Sequence, residues 1–430
     1  MELNGIIGAF LLASASGLLC VRNPSLAFAL LAFALPFDRL VIRETPFTIY
    51  SSEALLAGVL AGALIGRFHK IFRGRDSGVR VWIPSLLVLA GWGLAFPGAL
   101  DRVGAAKELV RWAELWMVLP VLALLLRRGE VDGRVVAGGY LAGTAIIGAM
   151  ILAEIIFFPV LSRPSVVMPP NAISPYMGLG LLFMVLRIRP RFGGYDQAVQ
   201  WGIGILLVLS LLASQSRTGI AAVVLGLLVA LALARRPARK TTLAVAGVIV
   251  VVLSVTALLD SRVRTRLSSY ATFWKVPAFQ ERLVFYGWGV RMWQERPVVG
   301  AGPGCYRKAL GKFMDDNPAV FRRMSPAAIE KLGILSHIHN LFIQLAIESG
   351  LAGLGAWLGA LAVLGFLLAE GRAGSSHLFA GGAGLMAVFL FSNLLDITLT
   401  HSRGVLFAVG WGIFLGAGDI RKGKKKKGAG

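Results

Sequence analysis

The chain has 430 residues, of which 56% are hydrophobic and only 15% are charged, yet its formal net charge is +22. Because soluble domains carry about 25% charged residues, this composition excludes an ordinary soluble globular protein, and the apolar content excludes a disordered chain. A nucleic-acid-binding protein would carry its positive charge on a polar body, so we expect no nucleic-acid partner. The two cysteines, Cys20 and Cys305, are too few for a disulfide scaffold or a thiolate metal site. The class that remains is a polytopic membrane protein with basic loops.

Apolar stretches of membrane-spanning length recur along the whole chain. A transmembrane helix needs about 20 apolar residues, and we expect the first stretch to be retained, because it lacks the basic start and small-residue cleavage site of a signal peptide. One stretch could be re-entrant or interfacial, so the sequence predicts an all-α integral membrane protein with twelve or thirteen transmembrane helices. The thirteen stretches are 3–21, 24–42, 47–66, 81–99, 108–126, 135–158, 174–188, 200–215, 218–234, 241–259, 351–369, 377–398 and 404–418.

Basic residues alternate between the connecting segments. Cytoplasmic loops of membrane proteins carry an excess of Lys and Arg, so the strongly basic segments mark the cytoplasmic side. If the spans alternate, these segments all fall on one side: 67–80 with five Lys or Arg residues, 127–134 with three, 187–191 with three, 235–240 with four, and 421–427 with six. The segment 260–336 then lies outside.

The chain therefore divides into four predicted parts: an amino-terminal bundle (1–259), a large external basic loop (260–336), carboxy-terminal transmembrane helices (337–418) and a basic cytoplasmic tail (419–430). The external loop has about 77 residues, with thirteen Lys or Arg against six Asp or Glu. Its aromatic residues indicate helices lying at the membrane interface. This composition suits an anionic, lipid-linked ligand, and it suits equally a loop that is attracted to lipid headgroups.

The first polar motif is Ser214-Gln215-Ser216-Arg217-Thr218-Gly219, between two predicted spans at the external face. A guanidinium group matches phosphate oxygens in a bidentate way, so Arg217 could clamp a phosphate or diphosphate. An Arg at the end of an apolar run can also simply reach the membrane surface. The residue types alone favour neither interpretation.

The second motif begins at Glu281-Arg282 and ends in the glycine-rich turn 297–304. If 281–294 forms one helix, Arg282 and Arg291 lie nine residues apart and on opposite faces, so they cannot both contact one ligand unless the helix breaks. Pro297 should end that helix. The GAGPG turn is no dinucleotide fingerprint, because no strand precedes it and Pro interrupts it.

The third motif is Ser336-His337-Ile338-His339-Asn340, followed by an apolar run to Gly350. Asn340 is a good N-cap for a helix that ends near Ser349, with Gly350 as its stop. His339 then lies just before the helix. Histidine is the side chain best suited to move protons near neutral pH, so His339 is a candidate base, and His337 competes with it. Both could also be polar residues at the membrane interface.

Other candidates are weaker. Lys107 and Arg111 lie near an external span end, where an interfacial anchor is the favoured interpretation, and Asn171 follows Pro169-Pro170 in an external loop. Glu154 and Asp396 are ionisable residues in or near spans, where functional roles and helix-packing hydrogen bonds are both typical. The sequence contains no HExxH, Walker A, CxxC or DxD motif.

The three motifs, in this order and spacing, resemble the O-antigen ligase and polymerase family of polytopic membrane glycosyltransferases. The matching segments are SQSRTG, ERLVFYGWGVRMWQERPVVGAGPG and HIHNLFIQLAIESGLAG, within residues 170–418. The resemblance implies transfer of a glycan from undecaprenyl diphosphate to a hydroxyl group at the periplasmic face of the bacterial inner membrane. It implies a reaction without nucleotide, metal or other cofactor, and direct displacement at the anomeric carbon would invert its configuration. The acceptor would be lipid A-core in a ligase, our first choice, or another lipid-linked repeat unit in a polymerase.

The resemblance also assigns roles to residues. Arg217 and Arg282 would bind the diphosphate, and His339 would be the base or the group that orients the acceptor. We expect further substrate contacts from Gln215, Lys107, Asn171, Arg266, Arg291, His337 and Asn340. The expected partners are the lipid-linked donor, the lipid A-core acceptor and membrane lipids, around a monomeric protein. A transporter of lipid-linked glycan is the alternative from another class, but the sequence shows no clear internal repeat and its charged motifs cluster at one face.

Overall fold

The computed structural model describes residues 2–37, 40–43, 48–72, 78–158, 168–185, 197–234, 243, 247, 275, 277–321, 337–371, 376–397 and 402–417. The amino-terminal helices are α1 (Glu2–Arg22), α2 (Pro24–Ala34), α3 (Ser51–Phe72), α4 (Gly78–Ala95), α5 (Arg102–Arg127), α6 (Gly133–Phe157), α7 (Pro170–Val185), α8 (Gln197–Ala213) and α9 (Arg217–Leu233). They are followed by α10 (Pro277–Glu295), α11 (Tyr306–Asp316), α12 (Pro318–Phe321), α13 (Leu341–Glu370), α14 (Ser376–Leu395) and α15 (Ser402–Gly416).

The chain is an all-α, multi-pass membrane protein, as its composition predicted. Within the part of the chain that the structure describes, six segments are long and apolar enough to cross a membrane, and six further apolar helices are shorter. Together they account for twelve of the thirteen predicted stretches. The thirteenth, 241–259, lies outside the described residues except for two positions.

The predicted span 24–42 is wrong in its second half. Helix α2 ends at Ala34, and the turn Leu35–Phe37 that follows contains Pro36, whose ring and missing N–H oppose continuation of a helix. Two short antiparallel strands come next, β1 (Leu40–Arg43) and β2 (Thr48–Tyr50). The predicted span 47–66 therefore begins as a helix only at Ser51.

Close helix contacts in the bundle depend on small residues. Gly139 and Gly143 are four residues apart on α6, where a Cβ atom would overlap the backbone carbonyl groups of Ala29 and Phe33 on α2. Small residues at this spacing let two helix backbones approach closely, which is how membrane helices gain packing energy without a hydrophobic driving force.

Helix α13 is two helical segments joined at a break. The Asn340 side chain caps it as predicted, by accepting a hydrogen bond of 3.0 Å from the backbone N–H of Ile343. The predicted stop at Gly350 is also confirmed, because Gly350 has φ 62° and ψ −165°. The chain then continues as the membrane-length helix that was predicted at 351–369.

The glycine-rich turn after α10 packs against this break. The break frees backbone groups of α13, and the turn satisfies them with four hydrogen bonds: Ala301 and Gly302 donate to Ile347 and Glu348 (both 2.8 Å), while Leu351 and Ala352 donate to Pro297 and Val298 (2.8 and 3.1 Å). Helix α10 ends at Glu295, just before Pro297, as expected. The GAGPG sequence therefore joins the described part of the external loop to the bundle.

A second hydrophobic cluster forms between α10, α11 and α13. Its buried members are Met292, Tyr306, Leu310, Phe313, Phe321, Ile338 and Ile347. Four aromatic residues that we expected at the membrane interface pack against this cluster: Phe285, Tyr286, Trp288 and Trp293. They hold α10 next to the start of α13, which carries the histidine motif.

Candidate functional site

Segments that are far apart in the sequence meet at one end of the bundle through a chain of side-chain hydrogen bonds. His339 Nδ1 lies 3.2 Å from Asp396 Oδ1, and the amide of Asn171 donates to the other Asp396 oxygen at 3.2 Å. The Ser216 hydroxyl donates to Asn171 Oδ1 at 3.1 Å. His339 lies just before α13, Asn171 lies at the start of α7, Ser216 caps α9, and Asp396 follows α14. The SQSRTG turn, Asn171 and the HIHN motif are thus brought together.

Asp396 fixes the tautomer of His339. Burial alone would raise the pKa of Asp396, but contacts from the His337 and His339 imidazoles and the backbone N–H of Ile397 hold it well below its usual range. An ionised carboxylate can only accept hydrogen bonds, so the neutral form of His339 carries its proton on Nδ1. The Nε2 atom of His339 is then left with a lone pair that can accept a proton.

The backbone of His339 is held in an uncommon conformation. Its φ is 58°, and Gln215 in the SQSRTG turn has φ 50°. Non-glycine residues rarely adopt positive φ, and such residues cluster at functional sites. The Tyr286 hydroxyl donates to the His339 carbonyl at 2.9 Å, and Asn340 Nδ2 donates to Leu394 O at 3.0 Å. Burial raises the pKa of Tyr286, which keeps it protonated as a donor.

His337 is close to the same carboxylate but in weaker contact. Its Nε2 lies 3.7 Å from Asp396 Oδ1, longer than a hydrogen bond. The two imidazole rings are edge to face, with centroids 4.6 Å apart. His337 also lines a cavity of about 260 Å³ at this end of the bundle. Of the two histidines, His339 is therefore the one that Asp396 orients.

Two of the predicted arginines lie next to this network. Arg217 is the first residue of α9 and directly follows Ser216, whose side chain caps that helix. A helix N-terminus carries partial positive charge, so Arg217 and the end of α9 favour an anion at the same place. Arg282 is half-buried on α10 and lies one turn before Tyr286, within electrostatic range of its hydroxyl. The electrostatics here therefore suit a phosphate group.

The other predicted contact residues are less closely connected with His339. Arg291 is exposed on α10, nine residues from Arg282 on a continuous helix, so the two have different surroundings as predicted. Gln215 is half-buried in the turn before α9. Lys107 is half-buried on α5, within electrostatic range of Glu53, Glu108 and Arg111. Arg266 lies outside the described residues.

The role of Asp396 stayed open in the sequence, and four carboxylates that lie near His337 carried no sequence signal. These are Glu53, Glu108, Glu114 and Glu348. Asp396 showed one signal, an ionisable residue at a span end, but its contacts lie 57 and 225 positions away in the chain. His337, His339 and Asp396 also offer three ligand atoms within 4.8 Å of one another. Imidazole and carboxylate are the donor types that zinc and related metals prefer, so this group could hold such an ion.

The comparisons with known proteins agree with the motifs. Residues 202–358 match the family model described as O-Antigen ligase, whose members are membrane enzymes of O-antigen processing. No curated protein matches the chain. The matched segment includes the SQSRTG turn, α10 and the HIHN motif, which supply Ser216, Arg217, Arg282 and His339. Residues 202–358 of this multi-pass membrane protein are therefore similar to the O-antigen ligase family.

Proposed function

We propose that the protein transfers a glycan from undecaprenyl diphosphate to a hydroxyl group of lipid A-core, at the periplasmic face of the bacterial inner membrane. The observation that carries the proposal is the hydrogen bond between His339 Nδ1 and Asp396, which leaves Nε2 available as a base. The arginines beside this network supply the matching site for a diphosphate.

His339 would act on the acceptor. A sugar hydroxyl is a weak nucleophile unless a base takes its proton as the new bond forms. The acceptor oxygen attacks the anomeric carbon, and its proton moves to Nε2 of His339. Asp396 stabilises the resulting imidazolium across 3.2 Å, in the way that a buried aspartate supports histidine in hydrolases.

The arginines would act on the leaving group. The bond between the anomeric carbon and the diphosphate oxygen breaks, and undecaprenyl diphosphate leaves with the electron pair. Arg217 and Arg282 neutralise the charge that develops on its phosphate oxygens, and such charge stabilisation is usually a large part of catalysis. Direct displacement inverts the anomeric carbon, so no second carboxylate nucleophile is needed.

The proposed periplasmic location follows from the positions of the basic loops. Helix α5 begins at Arg102, carries Arg111 in its first half, where that residue lines the cavity beside His337, and ends at Arg127. Its 26 residues span about 39 Å at about 1.5 Å per residue, enough to cross a membrane. The basic loop 127–134 thus lies at the opposite end from His339, and basic loops mark the cytoplasm.

Reconstitution in proteoliposomes tests the proposal. Undecaprenyl-diphosphate glycan is supplied with either lipid A-core or a second portion of lipid-linked donor. A ligase extends lipid A-core and releases undecaprenyl diphosphate. Extension of the lipid-linked glycan alone would instead identify a polymerase, and movement of intact donor across the bilayer without transfer would identify a transporter.

A further inference from the structure

A cavity with several acidic side chains on its wall adjoins the histidine pair. It is lined by residues of α3, α4, α5, α13 and α15 together with Gly304, His337 and Ile397, and it has a volume of about 260 Å³. Ligand pockets typically measure about 300–1,000 Å³, so this one has room for a single small ring. Its polar wall contains four carboxylates and one guanidinium: Glu53, Glu108, Glu114, Glu348 and Arg111.

Some of these charges have structural partners. Arg111 bridges Glu53 at 3.0 Å and Glu108 at 3.1 Å. Glu348 accepts hydrogen bonds from the backbone of Gly304 and Tyr306 at 3.1 and 3.3 Å, so it anchors the start of α11. The cavity wall presents four carboxyl groups against one guanidinium, and neither Arg217 nor Arg282 lines it. The guanidinium of Arg111 is already bridged to Glu53 and Glu108, so a diphosphate finds no free cation on this wall, and the donor headgroup belongs beside Arg217 and Arg282.

Three polar groups on the cavity wall have no hydrogen-bond partner among the residues that the structure describes. Trp92 is only 1% exposed, and its indole N–H has no hydrogen-bond partner among the residues that the structure describes. The side-chain oxygen of Gln344 is likewise buried without a partner within the described chain. No hydrogen bond reaches the Glu114 carboxylate from the described residues either, and its electrostatic neighbours are Glu53 and Arg111. Other buried indoles, such as that of Trp116, also lack a hydrogen-bond partner among the described residues but do not line this cavity. What distinguishes Trp92, Gln344 and Glu114 is their place on a cavity wall, where a polar occupant can supply the missing hydrogen bonds.

Aromatic rings form another part of the same wall. The rings of Trp92 and Trp112 lie with centroids 5.2 Å apart, and both residues line the cavity. A ligand that suits this wall has an apolar face that packs on the indoles. It also has hydroxyl groups, which both donate and accept hydrogen bonds. A sugar ring without an anionic group has these properties, whereas a phosphate has neither.

We propose that this cavity binds one uncharged sugar ring of the acceptor glycan. The proposal deepens the function proposed above and rests on it, because a sugar bound here is an acceptor only if the protein transfers glycan. In an inverting displacement the nucleophile and the leaving group lie on opposite sides of the anomeric carbon, and the base lies on the nucleophile's side. The cavity is lined by His337 but not by Arg217 or Arg282. It therefore lies on the side from which the acceptor approaches.

Direct sugar binding to the purified full-length protein in detergent provides the first test. Saturation-transfer NMR is recorded with the methyl glycosides of glucose, galactose and N-acetylglucosamine, and with glucose 6-phosphate as the anionic probe. At least one neutral glycoside should bind saturably, and glucose 6-phosphate should not. Glu114→Gln and Trp92→Phe each remove one polar contact and should weaken that binding about tenfold.

Trp116→Phe is the matched control. Trp116 is also buried and its indole N–H also lacks a partner among the described residues, but it does not line the cavity. This variant should bind the neutral glycoside as the wild type does. Equal binding in all four proteins, no saturable binding of any neutral glycoside, or equal binding of glucose 6-phosphate would overturn the proposal.

A kinetic test connects the cavity with the acceptor. In the reconstituted transfer reaction, Glu114→Gln should raise the KM for the acceptor about tenfold and leave the KM for the donor unchanged. An unchanged acceptor KM would refute the assignment of the cavity to the acceptor. If wild-type protein binds the glycosides as expected but transfers no glycan at all, the proposed function fails and the sugar site does not.

Discussion

Replacement of Asp396 by asparagine isolates the charge of the carboxylate from its hydrogen bonds. An asparagine oxygen can still accept from His339 Nδ1 and from the backbone N–H of Ile397. The new amide nitrogen would face the side-chain amide of Asn171, which now donates to Asp396. If the Asn171 amide rotates by about 180°, its oxygen accepts from the new amide and its nitrogen donates to the Ser216 hydroxyl, which can accept as well as donate. The tautomer of His339 can therefore survive the change, but the charge cannot.

The expected loss follows from the distance. An imidazolium and a carboxylate that lie 3.2 Å apart attract each other by about 5 kcal/mol at an effective dielectric constant of about 20. If roughly half of the proton has moved in the transition state, about 2.5 kcal/mol of stabilisation is lost. At about 1.4 kcal/mol per tenfold change in rate, kcat should fall roughly 60-fold.

The assay is release of undecaprenyl diphosphate by Asp396→Asn protein in proteoliposomes, with donor and acceptor varied. We expect the loss in kcat, with both KM values within about threefold of wild type. Asp101→Asn is the control, since Asp101 caps α5 outside the network and asparagine caps helices equally well. Wild-type kcat in Asp396→Asn would refute the role of Asp396 as the charge that supports His339.

Three further results are expected. Arg217→Lys should lose most transfer activity, because a point charge cannot replace the planar guanidinium fork on a phosphate; wild-type turnover would make Arg217 an interfacial anchor. Gly350→Ala should destabilise the protein by about 3 kcal/mol or more, since a Cβ would meet Val298 and φ is positive there. A thermal unfolding scan measures this loss, with Gly355→Ala as the open-space control. EDTA should leave transfer unchanged, and inhibition that Zn²⁺ or Mg²⁺ reverses would mean that His337 and His339 bind a metal.

Local sequence signals were sufficient to place most of the described helices and the two ends of the helical segment that follows the histidines. The cap at Asn340 and the break at Gly350 follow from backbone preferences that act within a few residues, and both are present. The span at 24–42 was misjudged because apolar content alone does not separate a helix from the β-branched residues of a short strand. Pro36 was the signal that could have corrected it.

Contacts between distant segments could not be predicted in the same way. The bond between His339 and Asp396 depends on how α13 and α14 pack, and no local pattern encodes that packing. The role of the GAGPG turn has the same origin, because its N–H groups are matched to carbonyls that only the break in α13 exposes. The acidic cavity likewise gathers carboxylates from three helices, each of which is ordinary within its own helix.

In the proposed reaction, His339 takes the proton of the acceptor hydroxyl during glycan transfer. The most direct test compares His339→Ala with His337→Ala in proteoliposomes, measuring donor binding and glycan transfer on the same preparations. We expect His339→Ala to bind the lipid-linked donor normally and to transfer glycan at least about 10²-fold more slowly, whereas His337→Ala should lose about tenfold at most. Full activity in His339→Ala, or the larger loss in His337→Ala, would contradict this role of His339.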